Sequence, residues 1–258
     1  MSRFTRGLES DVGAVLMPKL SDISGQFAAE ARADGWAEFL EQALLELARL
    51  AGIRQRVVFA ALPGFFAAVS SHNERQFRLI VKANTGIALP PVVPSAPGMA
   101  SSGSGSPLST LGVAPFRSEP FLTPLAEGWV KENTALIKSI PQRFHTELET
   151  LLQRGVMNGA SVRTLQDAIK EQYGVNQSRA KLIAQDQTLK LQSRLTEYRL
   201  KSVGVTRYIW RTVQDSRVRP KHVERSGKTF SWDSPPSGGQ HPGQEVRCRC
   251  RAEAVWDD

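Results

Sequence analysis

Two imidazoles and two thiols gather near the end of the chain: His222, His241, Cys248 and Cys250. Neutral imidazole and thiolate are the ligand types of a tetrahedral structural zinc site, so this quartet is a candidate metal centre, and zinc is the one cofactor the sequence suggests. Zinc knuckles usually space their thiols as Cys-x-x-Cys, whereas this chain has Cys248-Arg249-Cys250. The alternative is that both thiols pack as small apolar groups. A second constellation, Asp215, Arg217 and His222, lies just upstream. In an enzyme, His222 would act as general acid or base while Arg217 or Arg219 stabilised an oxyanion, as phosphoryl chemistry requires. In a structural protein the same three residues staple the turn after a strand, and this is the simpler reading. The sequence contains no phosphate-binding Gly-x-x-x-x-Gly-Lys-Ser/Thr, no Gly-x-Ser-x-Gly and no His-Glu-x-x-His.

These residues must be positioned by what precedes them. After Gly204 the apolar period changes from helical to alternating, with Tyr208, Trp210 and Thr212 on one side and Ile209, Arg211 and Val213 on the other, which predicts a strand. Further short strands are expected at 228–232 and 250–256. Upstream, Val12, Val15, Leu16, Leu40, Leu44, Leu47, Leu50, Phe77, Leu79 and Ile80 recur at helical spacing. Breaks are expected at Asp34-Gly35, Ala51-Gly52 and Pro63-Gly64, dividing this region into three or four helices.

A Pro/Gly/Ser-rich stretch over 89–117 reads as a linker, or as an arm that grips a neighbouring subunit. Beyond it, Trp129, Val130, Leu136, Ile137 and Ile140 form a helical stripe that continues past Pro141 to Gly155. Ser161 is placed to cap a short helix ending near Tyr173-Gly174, and a longer helix covers 177–202. The fold class is therefore α+β, a mainly helical body followed by a small domain with a short antiparallel sheet. The expected divisions are a helical region 1–88, the linker or arm 89–117, a second helical region 118–203 and the small α+β domain 204–258.

The chain has 258 residues and a net charge of +8, with 41% apolar and 22% charged residues, the composition of a folded globular protein. The charge is uneven: residues 181–258 hold 15 Lys/Arg against 9 Asp/Glu. Such a basic third suits nucleic acid or an acidic protein surface, and Arg217, Arg219, Lys221, Arg247, Arg249 and Arg251 are its candidate contacts. The longest apolar run, from Val57 to Ser70, is interrupted by Pro63 and Gly64, so no transmembrane helix and no membrane partner are expected. Glu9 and Asp11 stand where a signal peptide would be apolar, and the two cysteines are too close for an easy disulfide. Synthesis in a reducing cytoplasm is expected.

The segment 208–256 combines Trp210, Asp215-x-Arg217-x-Arg219-Pro220-x-His222, Gly227, His241-Pro242-Gly243 and Cys248-Arg249-Cys250. In this combination it resembles the C-terminal domain of the phage Mu F-like minor head proteins, the phage head morphogenesis family. The resemblance extends upstream through GVNQSRAKLIAQDQTLKL at 174–191 and WVKENTALIKSI at 129–140, and weakly through 72–89. Two departures stand out. Ala184-Gln185-Asp186-Gln187 lacks the arginine many relatives carry, and His241-Pro242 lies further from Cys248 than in the compact family pattern.

The resemblance implies a minor structural protein of a tailed-phage head, present in multiple copies and acting with the portal, the scaffold or the major capsid protein. It places the protein in the virion, with DNA as a further possible contact. Within it, Asp215, His222, Gly227 and Pro242 form the structural motif. The leading expectation is therefore non-enzymatic. The alternative is a phage-encoded nuclease using Asp215, Arg217 and His222.

Overall fold

The computed structural model describes residues 2–18, 33–92, 119–158, 160–236 and 240–256. Among these described residues, five helices and three strands follow in order: α1 Ser2–Val15, α2 Ala33–Thr85, α3 Leu122–Met157, α4 Val162–Ser202, β1 Arg207–Arg211, α5 Pro220–Arg225, β2 Thr229–Ser231 and β3 Arg251–Val255. The helical body and the C-terminal antiparallel sheet agree with the α+β expectation. Of the stretch expected as a linker or arm, residues 93–117 lie outside the described residues.

The chain forms two compact units. The first comprises 1–63 and 130–187. Its core takes residues at i,i+4 spacing from four helices and the turn that ends α1: Val12 and Leu16, Ala43 and Leu47, Phe144, Leu148 and Leu152, and Leu165 and Ile169. Side chains four apart stand one above the other on a helix face, so each helix supplies one stripe to a shared interior. The Ser161 hydroxyl accepts the Thr164 N–H at 3.2 Å and caps α4, as its type and position predict.

Several expected helix boundaries are absent. α2 runs without interruption through Gly35, Ala51-Gly52 and Pro63-Gly64, and α4 runs through Gly174. A helix-interior glycine costs about 1 kcal/mol and a proline about 3. Burial on the inward face outweighs these penalties: Leu47 and Ala51 precede Pro63, and Leu62, Phe66, Phe77 and Val81 continue the buried stripe around and beyond it. Because Pro63 does not break α2, the stretch Glu41–Thr85 is long and apolar enough to cross a bilayer by length and composition, contrary to the expectation drawn from the run at 57–70.

Gly155 does not end its helix either, since α3 continues to Met157. Its role is close approach: a Cβ there would collide with the Leu165 side chain.

The second unit comprises 64–129 and 188–258. Its sheet has the order β2-β1-β3, both pairs antiparallel, with Tyr208 opposite Phe230 on one side and Ala254 on the other. Along β1 the alternation is as expected: Tyr208 and Trp210 are fully buried. They join Phe77, Val81, Leu200, Val205, Trp232, Cys248 and Cys250 in one core.

The turn into β1 is a Schellman motif. Val205 N–H donates to Leu200 O and Gly204 N–H to Lys201 O, with Gly204 at φ +83°. Leu200 and Val205, the two ends of that motif, are both buried in the same core. The stop expected at Gly204 is thus where the helix ends and the sheet begins.

Candidate metal and turn site

Three elements converge on His222. It lies on the short helix α5, which starts at Pro220, where a missing N–H costs nothing. The imidazole is 2% exposed and packs edge-on against Trp210 of β1, with ring centroids 5.1 Å apart. Its Nδ1 faces both thiols, 3.7 Å from Cys248 Sγ and 3.6 Å from Cys250 Sγ. On the other side of the ring, Nε2 lies 3.2 Å from Glu245 Oε1.

The cysteines stand immediately before β3, and both are free thiols. Their spacing by two lets the chain present both sulfurs to one imidazole. The ligand atoms of His222, Cys248 and Cys250 all lie within 4.8 Å of one another, and among the described residues no other group of His, Cys, Asp or Glu does so.

The turn before Cys248 is shaped by residues that stand out in the sequence. Gly243 has φ +84°, and its N–H donates to Cys248 Sγ at 3.4 Å. A Cβ at Gly243 would lie 3.1 Å from Ser193 Cβ, so the position needs glycine for its backbone and for space. Ser193 on α4 donates its hydroxyl to the Pro242 carbonyl at 2.6 Å and fixes the His-Pro-Gly turn. Gly227, at φ +82°, donates to Trp210 O at 2.8 Å and closes the connection from α5 to β2.

His241 takes no part in the thiol cluster. Its Nδ1 is 2.8 Å from the Tyr208 hydroxyl, and its ring is also hydrogen-bonded to the Trp232 backbone. Burial holds this imidazole below its ordinary pKa, against that backbone bond. The hydrogen bond from Cys250 pulls the Cys248 thiol well down, opposed by burial and helped by the Gly243 N–H, and the same pairing pushes Cys250 up.

Asp215 belongs to a separate network. Its Oδ1 accepts the Arg217 backbone N–H at 3.1 Å, an Asx turn in the loop between β1 and α5, and its carboxylate is gripped by Arg249 at 2.6 and 2.7 Å. Arg217 Nη2 adds a contact at 3.4 Å. Asp215 and His222 therefore serve different partners, the arrangement of a turn staple.

Glu245 has little to mark it in the sequence, yet it is the hub of the site. Lys221 lies 2.9 Å from it, Arg219 3.6 Å and Arg225 3.8 Å, in addition to His222. Burial acts to raise its carboxyl, but Lys221 and His222 outweigh that and hold it below its ordinary range. Its one legible signal is that it is the only acid between Asp233 and Glu253 in a run rich in arginine.

Of the six candidate contact cations, Arg217, Arg219, Lys221 and Arg249 are thus engaged within the unit. Arg219 also donates to the Val246 carbonyl. Arg247 sits at φ 57° beside Cys248, and Arg251 opens β3 opposite Arg211.

Comparison with known proteins bears on this segment. The chain is 32% identical over 143 residues to an uncharacterized protein of Haemophilus influenzae, an alignment covering 55% of this chain and 32% of that protein. The chain thus spans about a third of the length of the curated relative it matches. No solved structure matches. The family model described as Phage Mu protein F like protein matches residues 146–253. That span holds α4, the sheet up to Glu253, the Asx turn, Glu245 and the His/Cys cluster, and over it this chain is similar to the phage Mu F-like proteins.

Proposed function

We propose that this protein is a minor structural component of a tailed-phage head, acting in head morphogenesis at the portal or inner head shell without catalysing a reaction. The observation that carries this reading is the family match over 146–253, because it coincides with the segment whose turns, ion pairs and buried histidines build the second unit's sheet domain.

The side chains support a structural role. Phosphoryl chemistry would need Asp215, Arg217 and His222 to face a common substrate. Instead Asp215 is gripped by Arg249, and His222 is buried between two sulfurs and Glu245. Contact with another head protein is favoured over contact with packaged DNA. A duplex is held by cations that can neutralise phosphates, and here Arg217, Arg219, Lys221 and Arg249 already face Asp215 and Glu245. In this reading the protein is made in the host cytoplasm and ends in the virion.

The test is disruption of the gene in the phage or prophage that carries it. The expected result is loss of infectious particles with missing or aberrant heads, and sedimentation of the wild-type protein with procapsids. Normal yields of infectious particles from the disrupted phage would overturn the reading.

A further inference from the structure

We infer that His222 Nδ1, Cys248 Sγ and Cys250 Sγ bind one zinc ion, with Glu245 as the carboxylate that orients the imidazole and His241 outside the ligand set. The first argument is geometric. With Zn–S near 2.3 Å and Zn–N near 2.0–2.1 Å, a tetrahedral ion holds its nitrogen and sulfur ligands about 3.6 Å apart. The two nitrogen–sulfur separations are 3.7 and 3.6 Å and all three donor atoms lie within 4.8 Å of one another, so the imidazole already stands at ligand-to-ligand distance from both sulfurs.

The second argument concerns the outer shell. A zinc-bound imidazole almost always donates its other N–H to a carboxylate or carbonyl, which fixes the tautomer and the ring plane. Glu245 Oε1 lies 3.2 Å from Nε2 while Nδ1 faces the thiols, so a carboxylate stands where a zinc-bound imidazole would present its other N–H. Lys221, Arg219 and Arg225 hold that carboxylate in place. The Gly243 N–H on Cys248 Sγ gives the sulfur the backbone donor that a metal-bound thiolate accepts.

The third argument is need. β1, β2 and β3 have only 5, 3 and 5 residues. Among the described residues between α5 and β3, the one strand is the three-residue β2. A metal tie from α5 to the residues before β3 would close that span, and metal binding of this kind is itself folding free energy. The three protein donors leave the fourth position to water or to a donor from a bound partner.

This inference is independent of the head-assembly reading, and its test needs no phage. The full chain is expressed with zinc in the medium, purified, and assayed for metal by mass spectrometry. About one equivalent is expected in the wild type and in His241→Ala, and less than about a tenth of an equivalent in His222→Ala, Cys248→Ser and Cys250→Ser. Glu245→Gln retains the site with affinity about 10- to 100-fold lower. Cobalt substitution should give thiolate-to-cobalt charge-transfer absorption whose intensity corresponds to two sulfurs.

If the ligand variants fail to fold, the wild type decides. Stripping with a chelator should lower its melting temperature, and zinc but not magnesium should restore it. A wild-type chain that takes up neither zinc nor cobalt overturns the inference, as does a chain whose metal is lost in His241→Ala and kept in His222→Ala.

Discussion

Arg199 and Glu119 form a two-pronged ion pair inside the second unit, with Nε 2.8 Å from Oε1, Nη2 2.7 Å from Oε2, and both side chains 1% exposed. The remaining guanidinium protons are also used. Nη1 donates to the Ser70 carbonyl and Asn73 Oδ1, and Nη2 donates to the Ser70 hydroxyl. All five donors of one side chain thus tie α4, α2 and the start of the 119–129 segment together. Breaking such a pair leaves a buried charge without its partner, which typically costs 3–5 kcal/mol, whereas replacing both members with apolar groups is often close to neutral. Glu119→Ala should therefore lose about 3–5 kcal/mol in urea denaturation. The double variant Arg199→Met with Glu119→Leu should lose much less. Equal losses in the two would show that the pair itself stabilises the unit.

Glycine substitutions should change sign with backbone conformation. Gly243 has φ +84° and a neighbour 3.1 Å from where a Cβ would stand. Gly243→Ala should cost about 1–3 kcal/mol, the strain of a side chain in the left-handed region. Gly52 lies inside α2 with nothing within 4 Å of where an added methyl would stand, so Gly52→Ala should stabilise by about 0.5–1 kcal/mol. Thermal melts of the two variants decide the matter, and shifts of the same sign would contradict it.

Gly155 and Leu165 should couple. Gly155→Ala drives a methyl into the Leu165 side chain, and overpacking of this kind costs about 1–3 kcal/mol. Leu165→Ala opens a cavity in the first core at a cost of about 2–5 kcal/mol. Because each change relieves the other, the double variant should be more stable than the sum of the singles predicts, by roughly 0.5 kcal/mol or more in a double-mutant cycle. Additive losses would place the two side chains out of contact.

Acid should release the Asp215 staple. The Arg249 side chain, helped by the Arg217 backbone N–H, holds the Asp215 carboxyl at about 2, below its ordinary 3.8, against the opposing effect of desolvation. A depressed carboxylate stabilises the folded state above its unfolded pKa, and that contribution is lost as pH falls from 3.8 through about 2. Asp215→Asn should therefore flatten the acid limb of the stability–pH curve across that window and have its largest effect near neutral pH. An acid limb unchanged by the substitution would show that the Arg249 contact does not persist in solution.

Much of this architecture is legible in residue types. The alternation at Tyr208, Ile209 and Trp210 dictates a strand with two aromatics inward, because successive side chains of an extended chain point to opposite faces. Ser161 and Gly204 mark the ends of α4, since one supplies an acceptor to orphan N–H groups and the other adopts a positive φ without penalty. The grouping of His222 with the two cysteines is also legible in outline, from ligand chemistry. Other boundaries mislead. Gly52, Pro63 and Gly174 are local breakers, and local preference of about 1–3 kcal/mol yields to a buried stripe that extends across them.

What the sequence determined by itself was therefore local: where the sheet begins, which face of each strand is buried, and which side chains have the chemistry to hold a metal or a turn. The tertiary structure decided the partners. It gave His241 to Tyr208 and the Trp232 backbone, and gave His222 to the sulfurs and to Glu245. It also split Asp215 from His222, placing Arg249 on the former. The physical reason is that a side chain's type and its spacing along one element are fixed by the chain, whereas the distance between α5, the His-Pro-Gly turn and β3 is set by how the sheet and α4 pack, and hydrogen bonds and metal ligands are chosen at that distance.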